Sequence, residues 1–126
     1  MTTRVVIAAG RGAFRLGLRK ALTAAGFLVT AECSDAHEAV EAVARERPDI
    51  CIVDADLPGG ALIAAAAIAL PAPPPAVLVI DPGGTDAALR AAELAGASGY
   101  VRGELDDDRL TDAVSALSLT RKDTQQ

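Results

Sequence analysis

The chain of 126 residues carries 12 Lys and Arg against 17 Asp and Glu, and 51% of its residues are apolar. This length gives one domain with a core of its own, and the apolar fraction excludes a disordered chain. The formal net charge of −5 and the presence of only two Phe, one Tyr and no Trp exclude a basic, base-stacking surface, so we expect no nucleic-acid binding by this chain alone.

Targeting and redox features point to a cytoplasmic domain without a membrane partner. The longest apolar run, 61–70, is about half the length that a membrane span needs. The N-terminus has no signal-peptide pattern. Cys33 and Cys51 form neither a disulfide framework nor a metal-ligand spacing, so we predict no redox role for either.

In the first half of the chain, short β-branched runs alternate with helical patterns. The run at 5–8 predicts a strand, and the spacing of Phe14, Leu18 and Leu22 predicts a helix that stops at Gly26. A second strand is predicted over 27–32. The pair Asp35 and Glu38 predicts a capping box that opens a helix ending before 48, and a third strand follows over 50–53.

The second half continues the alternation. A helix is predicted over 61–70, a stiff proline-rich segment over 71–75 and a strand over 77–80. Thr85 or Asp86 caps a helix that carries Leu89, Ala92 and Leu94 on its apolar side, and a fifth strand follows over 99–102. A last helix lies behind an acidic stretch at 104–108. We expect a domain over 1–118 and a linker start or disordered tail over 119–126.

Five strands alternating with five helices predict an α/β fold with a doubly wound, five-stranded parallel sheet. Functional residues in such sheets lie at the carboxyl ends of the strands. The segments that follow the predicted strands are 9–12, 54–60, 81–85 and 102–104.

Three segments resemble one protein family along essentially the whole chain. Residues 48–59, PDICIVDADLPG, are similar to the phosphoacceptor segment of response-regulator receiver domains, in which a strand ends in the phosphorylated aspartate, here Asp54. Residues 96–101, GASGYV, resemble the fifth-strand signature of that family. Phe14, Arg15, Gly17 and Leu18 resemble the first helix of the NarL/LuxR-type subfamily. The resemblance implies a flavodoxin-like (βα)5 fold with strand order 2-1-3-4-5.

The same resemblance shows where the chain departs from the family. The acidic pair that holds Mg²⁺ in receivers falls on Ala9 and Gly10, which have no side-chain oxygen to offer. The Thr or Ser that ends the fourth strand is Asp81, and the lysine that follows the fifth strand is Gly103. We therefore expect a pseudo-receiver with no metal, no cofactor and no catalytic residues. Its degenerate acidic pocket consists of Ala9, Gly10, Arg11, Asp56, Asp81 and Gly103, around the phosphoacceptor-equivalent Asp54.

Several residues of this pocket have more than one interpretation. Asp54 is an active phosphoacceptor, an unphosphorylated switch contact or an inherited carboxylate satisfied by local hydrogen bonds. Tyr100 and Asp81 are switch-like by resemblance, although Tyr100 is alternatively a packed tyrosine. Arg11 is a solvated loop residue or the cation that replaces the metal. In the second case we predict that it lies within ion-pair distance of Asp54 or Asp81, whereas Arg102 alternates away from the crevice.

Other patterns support no site. The glycines at 10–17 match neither a dinucleotide fingerprint nor a phosphate-binding loop, because Arg15 and Leu18 occupy the required Gly and Lys positions. His37 is predicted to be solvated. The all-apolar helix at 61–70 is either covered by the fold or offers a partner surface.

Taken with the resemblance, these features predict a non-enzymatic regulatory domain of an atypical NarL/LuxR-type transcriptional regulator. It would act through protein contacts, homodimerisation or small-molecule binding, and would reach DNA only through a helix-turn-helix domain absent from these residues. The alternative is a working receiver that takes a phosphoryl group from a histidine kinase on Asp54.

Overall fold

The computed structural model describes residues 2–70 and 73–125, and their side chains as far as Thr120. Strands and helices alternate along the described chain, as the periodicity predicts. Their bounds are β1 Arg4–Ala8, α1 Gly12–Ala24, β2 Leu28–Cys33, α2 Ala36–Glu46, β3 Ile50–Asp54, α3 Ala61–Ala69, β4 Ala76–Asp81, α4 Asp86–Leu94, β5 Gly99–Arg102 and α5 Asp107–Gln125. The first two residues of the predicted proline-rich segment 71–75 lie outside the described residues.

All five strands are parallel and lie in the order β2-β1-β3-β4-β5. This confirms the predicted fold class and the strand order that the family resemblance implied. The connection direction reverses at β1 and β3, and in open α/β sheets such a reversal leaves a crevice outside the carboxyl ends of the strands.

Helices cover both faces of the sheet, and the central strands β1, β3 and β4 are buried at nearly every position. One face packs against α1 and α5 through residues such as Ile7, Leu22, Ile52 and Leu110. The other face packs against α2, α3 and α4. Within the described residues, no helix combines the length and apolar character needed to cross a membrane.

Side-chain caps fix where two helices begin. Asp35 Oδ1 accepts a hydrogen bond from Glu38 N at 2.8 Å, as a capping box requires. A capping box would place the Glu38 carboxylate on the backbone N of Asp35. Instead it accepts hydrogen bonds from the backbone N and the hydroxyl of Ser34, one residue earlier, and these bonds lower the pKa of Glu38. At α4 the cap is Thr85, whose Oγ1 accepts from Ala88 N at 3.1 Å.

Three details differ from the sequence-based expectations. Strand β2 lies one residue later than predicted, because Cys33 still pairs with Ala8 of β1, and the Cys33 side chain is buried. Leu94 is 90% exposed, because Ala92 faces the core and Leu94 lies half a turn away from it. Helix α5 continues to Gln125, since no Gly or Pro interrupts it. The domain boundary at 118 stays a prediction.

Buried polar and thiol groups are few among the described residues. The hydroxyls of Thr3 and Ser118 share a buried hydrogen bond of 2.7 Å that ties the start of the chain to α5. Burial raises the pKa of Cys33 to about 11 and that of Cys51 to about 12, so both free thiols are protonated at neutral pH.

Helix α3 is covered on one side only. Ala64, Ala65 and Ile68 pack into the core, whereas Ile63 is 69% exposed and Leu70, just past its end, is 84% exposed. Part of its apolar surface therefore faces solvent.

Candidate functional site

Asp54 occupies the centre of the carboxyl edge of the sheet. It is the last residue of β3, every residue of which is buried, and it is itself 2% exposed. Its Oδ1 accepts a hydrogen bond of 3.2 Å from the backbone N of Asp56, whose own side chain is exposed. The local turn thus satisfies one oxygen of the carboxylate.

Arg11 approaches the second oxygen from the β1–α1 loop. Its Nη2 lies 3.8 Å from Asp54 Oδ2, which is the predicted ion-pair distance, and the partner is Asp54 rather than Asp81. The guanidinium also stacks on the ring of Phe14, 4.9 Å from the ring centroid. Because the Arg11 side chain is 65% exposed, this long contact contributes less than about 1 kcal/mol to stability.

The positions of the missing acidic pair are closed by backbone and by a proline ring. Ala9 donates its N–H to Cys33 O at 2.9 Å, and its carbonyl accepts from Arg15 Nη1 at 2.7 Å. A Cβ placed on Gly10 would lie only 2.6 Å from Pro58 Cδ. A side chain at position 10 would therefore require Pro58 to move.

These residues do not fit the Mg²⁺ that the family resemblance implies. Magnesium needs oxygen ligands in a near-octahedral arrangement, and neither Ala9 nor Gly10 can add a carboxylate beside Asp54. Within residues 2–70 and 73–125, no group of three or more His, Cys, Asp or Glu side chains could hold a metal ion.

Asp81 binds Tyr100 instead of facing Asp54. In the β3–β4 register Asp54 pairs with Ile80, so Asp81, one residue later, lies on the other face of the sheet, toward α4. There Asp81 Oδ2 accepts a hydrogen bond of 2.6 Å from the Tyr100 hydroxyl. Partial burial, together with this carboxylate, raises the pKa of Tyr100 to about 12.

Gly84 makes room for that bond. A Cβ on Gly84 would overlap the Tyr100 hydroxyl and lie 2.8 Å from Tyr100 Cζ. The packing of Tyr100 against the β4–α4 loop therefore depends on the absence of a side chain at position 84, a requirement that the sequence alone did not reveal.

Position 103, where the family has a lysine, is a glycine, and a nearby arginine binds the same loop. Gly103 has a φ of 83°, which favours glycine. Arg102 turns away from Asp54, as predicted, and its Nη1 donates to Asp86 Oδ1 at 2.8 Å. Arg109 of α5 donates to the carbonyls of Arg102 and Glu104, so its guanidinium is engaged in holding the β5–α5 loop.

Outside this pocket, His37 is exposed, as predicted, and its Nε2 lies 3.0 Å from Glu41 Oε1. Sequence reasoning missed the roles of Pro58, Gly84 and Arg109. Of these three residues, only Arg109 lies in a sequence pattern that could have drawn attention to it. It follows Asp106 by three residues, which is the spacing of a helix cap, and the Asp106 carboxylate accepts a hydrogen bond from Arg109 N.

Comparisons with known proteins identify the family and the fold. The family model described as the response regulator receiver domain matches residues 5–115. A LuxR-family two-component response regulator from Aurantimonas sp. SI85-9A1 is 31% identical, with a TM-score of 0.87 over 94% of this chain and 86% of that chain. The signal receiver domain of NarL from Mycobacterium tuberculosis is 27% identical, with a TM-score of 0.86 over 91% and 94%.

A DNA-binding response regulator of the LuxR family from Staphylococcus aureus shares the fold, with a TM-score of 0.84 at 19% identity over 91% of this chain and 98% of that chain. Among curated proteins, no sequence matches the chain.

Proposed function

This chain belongs to the response regulator receiver domain family, and we propose that it regulates without phosphorylation of Asp54. It is a non-enzymatic, cytoplasmic domain of an atypical NarL/LuxR-type transcriptional regulator. It acts through protein contacts, homodimerisation or a small-molecule signal. It reaches DNA only through a helix-turn-helix domain outside these residues.

The contact between Gly10 and Pro58 carries this proposal. Phosphoryl transfer to a carboxylate is catalysed by positioning and by neutralising the charge on the phosphoryl oxygens, chiefly through Mg²⁺ and a cationic side chain. A metal-binding carboxylate at position 10 would collide with the ring of Pro58. That ring is held in place, because Pro58 O accepts a hydrogen bond of 2.8 Å from Ala36 N.

The hydrogen bond between Asp81 and Tyr100 supports the same proposal. A receiver responds to phosphorylation by shifting between two packings, and a signal moves that equilibrium only if it favours one of them. Here the Tyr100 hydroxyl donates a 2.6 Å hydrogen bond to Asp81, which is a residue of the chain itself. We infer that this bond takes the role that phosphorylation has in other members of the family.

One observation favours the alternative, a working phosphoacceptor receiver. Asp54 ends β3 at the position of the family's acceptor, and Arg11 brings a positive charge to its Oδ2. Arg11 is a single, largely exposed cation, and it does not replace the octahedral ligand set of a metal.

Phosphodonor treatment decides between the two functions. The chain and its Asp54→Ala variant are incubated with acetyl phosphate and Mg²⁺, then analysed by intact mass and by sedimentation. We expect no phosphoryl adduct and the same oligomeric state for both proteins, with or without donor. An Asp56→Ala variant controls for adventitious phosphorylation of an exposed carboxylate. A phosphoryl adduct or a donor-dependent dimer that Asp54→Ala abolishes would establish the alternative.

A further inference from the structure

A cleft between α1 and the start of α5 lies next to the Arg11 side of the pocket. It has a volume of about 210 Å³, is open to solvent, and is lined from α1 by Phe14, Gly17 and Leu18 and from the segment 105–110 by Leu105, Asp107 and Leu110. Asp54 is not among the lining residues, so the cleft is a separate feature of the same edge of the sheet.

The walls of the cleft suit an apolar body. Leu18 and Leu110 are buried at its base, and Phe14 and Leu105 are half-buried at its sides. Gly17 leaves the α1 wall open, since a Cβ built there would meet no atom within 4 Å. The volume is below the roughly 300–1,000 Å³ of drug-sized ligand sites, so the cleft suits a small ligand of about ten non-hydrogen atoms.

The rim of the cleft is negatively charged. The carboxylate of Asp107 has no hydrogen bond or ion pair with any described residue, and Asp106 uses one oxygen to accept from Arg109 N at 2.8 Å. Two arginines of this edge have acceptors outside the cleft, since Arg11 pairs with Asp54 and Arg109 binds the carbonyls of its loop. An apolar cleft with a carboxylate rim is complementary to a cation with an apolar body.

Phe14 connects the cleft to the degenerate phosphoacceptor site. It lines the cleft, and it also supports the guanidinium of Arg11, whose Nη2 lies 3.8 Å from Asp54 Oδ2. A ligand that packs against Phe14 changes the support of Arg11 and thereby the surroundings of Asp54.

We propose that this cleft binds a small organic cation, an alkyl- or arylalkylammonium ion, and that Phe14 and Arg11 transmit its binding to Asp54. The proposal rests on the proposed function, since it supplies the small-molecule signal of a receiver that works without phosphorylation.

The test is an NMR titration of the ¹⁵N-labelled chain with phenethylammonium chloride. We expect saturable shifts at the amides of Gly17, Leu18 and Leu105, with a second group of shifts at Arg11 and Asp54. A ligand of this size binds with a dissociation constant on the order of millimolar. The anion 3-phenylpropionate, of similar size, should bind about tenfold more weakly or not at all, because it meets the carboxylate rim.

Matched variants separate the cleft from the rest of the surface. Gly17→Leu fills the cleft and should abolish the shifts, whereas Gly17→Ala preserves space and keeps them. Asp107→Asn should weaken binding severalfold, and Asp112→Asn, an exposed acid on the same helix but outside the cleft, should not. Phe14→Leu should keep the shifts in the cleft and lose those at Arg11 and Asp54.

The proposal is overturned if phenethylammonium gives no saturable shift, if the anion binds equally well, or if Gly17→Leu retains the response. It is also overturned if the same amides shift on simple dilution of the protein, since the cleft would then be a surface for a second copy. None of these outcomes bears on phosphorylation independence, which the acetyl phosphate experiment tests without any ligand.

Discussion

Replacing Gly10 by alanine adds one methyl group where the structure leaves no space for it. The new Cβ would lie 2.6 Å from Pro58 Cδ and 2.9 Å from Pro58 Cγ. The ring is closed on the backbone and cannot rotate away, and the loop that carries it is anchored to Ala36. The φ angle of Gly10 lies outside the left-handed region, so overpacking is the main term, and we expect a loss of about 1–3 kcal/mol.

Urea denaturation measures this loss. The midpoint of unfolding should fall while the slope of the free energy against urea stays unchanged, since the same surface is exposed on unfolding. In thermal unfolding, the same loss lowers the Tm by about 3–6 °C for each kcal/mol at this chain length. Gly17→Ala is the matched control, because its Cβ enters open space within a helix, where alanine stabilises by about 1 kcal/mol relative to glycine.

A double-mutant cycle assigns the loss to the proline ring. Pro58→Ala is introduced alone and together with Gly10→Ala, and a coupling free energy of about 0.5–3 kcal/mol is expected for residues in direct contact. If Gly10→Ala unfolds at the same urea concentration as the parent, or costs as much without Pro58 as with it, the steric argument for a closed metal position is wrong.

Two further predictions concern the neighbouring charges. Tyr100, the only tyrosine in a chain without tryptophan, should titrate near pH 12 by ultraviolet absorbance, and Asp81→Asn should lower its pKa toward the ordinary value of 10.0. Because the pKa of Tyr100 is raised on folding, the contribution of Tyr100 to stability is complete below about pH 10 and is lost as the pH rises through about 12. If Tyr100 titrates at the same pH in Asp81→Asn as in the parent, the Asp81 carboxylate does not raise its pKa. Arg11→Ala should lower the free energy of unfolding by less than about 1 kcal/mol, and an Asp54→Ala background should remove that effect. A persistent loss in that background would show that Arg11 acts through Phe14 alone.

Local sequence patterns predicted most of the fold because each one has a short-range physical cause. Apolar runs gave the strand cores, and Asp35 and Thr85 marked the first turns of α2 and α4. The end of β2 was misplaced by one residue, because it depends on the pairing of Cys33 with Ala8 in another strand. No pattern within β2 encodes that pairing.

The site was predicted less completely than the fold. Chain spacing and the family resemblance placed Asp54 and Asp81 at the ends of neighbouring strands, and the structure confirms those positions. Spacing did not predict that Asp81 would bind Tyr100, or that Pro58 would fill the space above Gly10. Both contacts join residues far apart in the chain, and they depend on side-chain directions that become fixed only when the loops pack.

The packing of Tyr100 against Gly84 constrains the order in which the three residues of that contact can change during evolution. A side chain at position 84 expels the ring while Tyr100 is present, and replacement of Asp81 by an apolar residue leaves a part-buried hydroxyl without its acceptor. Both substitutions are therefore unfavourable until Tyr100 has been replaced. Relatives that keep the aspartate should also keep the tyrosine and the glycine, and these three positions should vary together in an alignment of such domains.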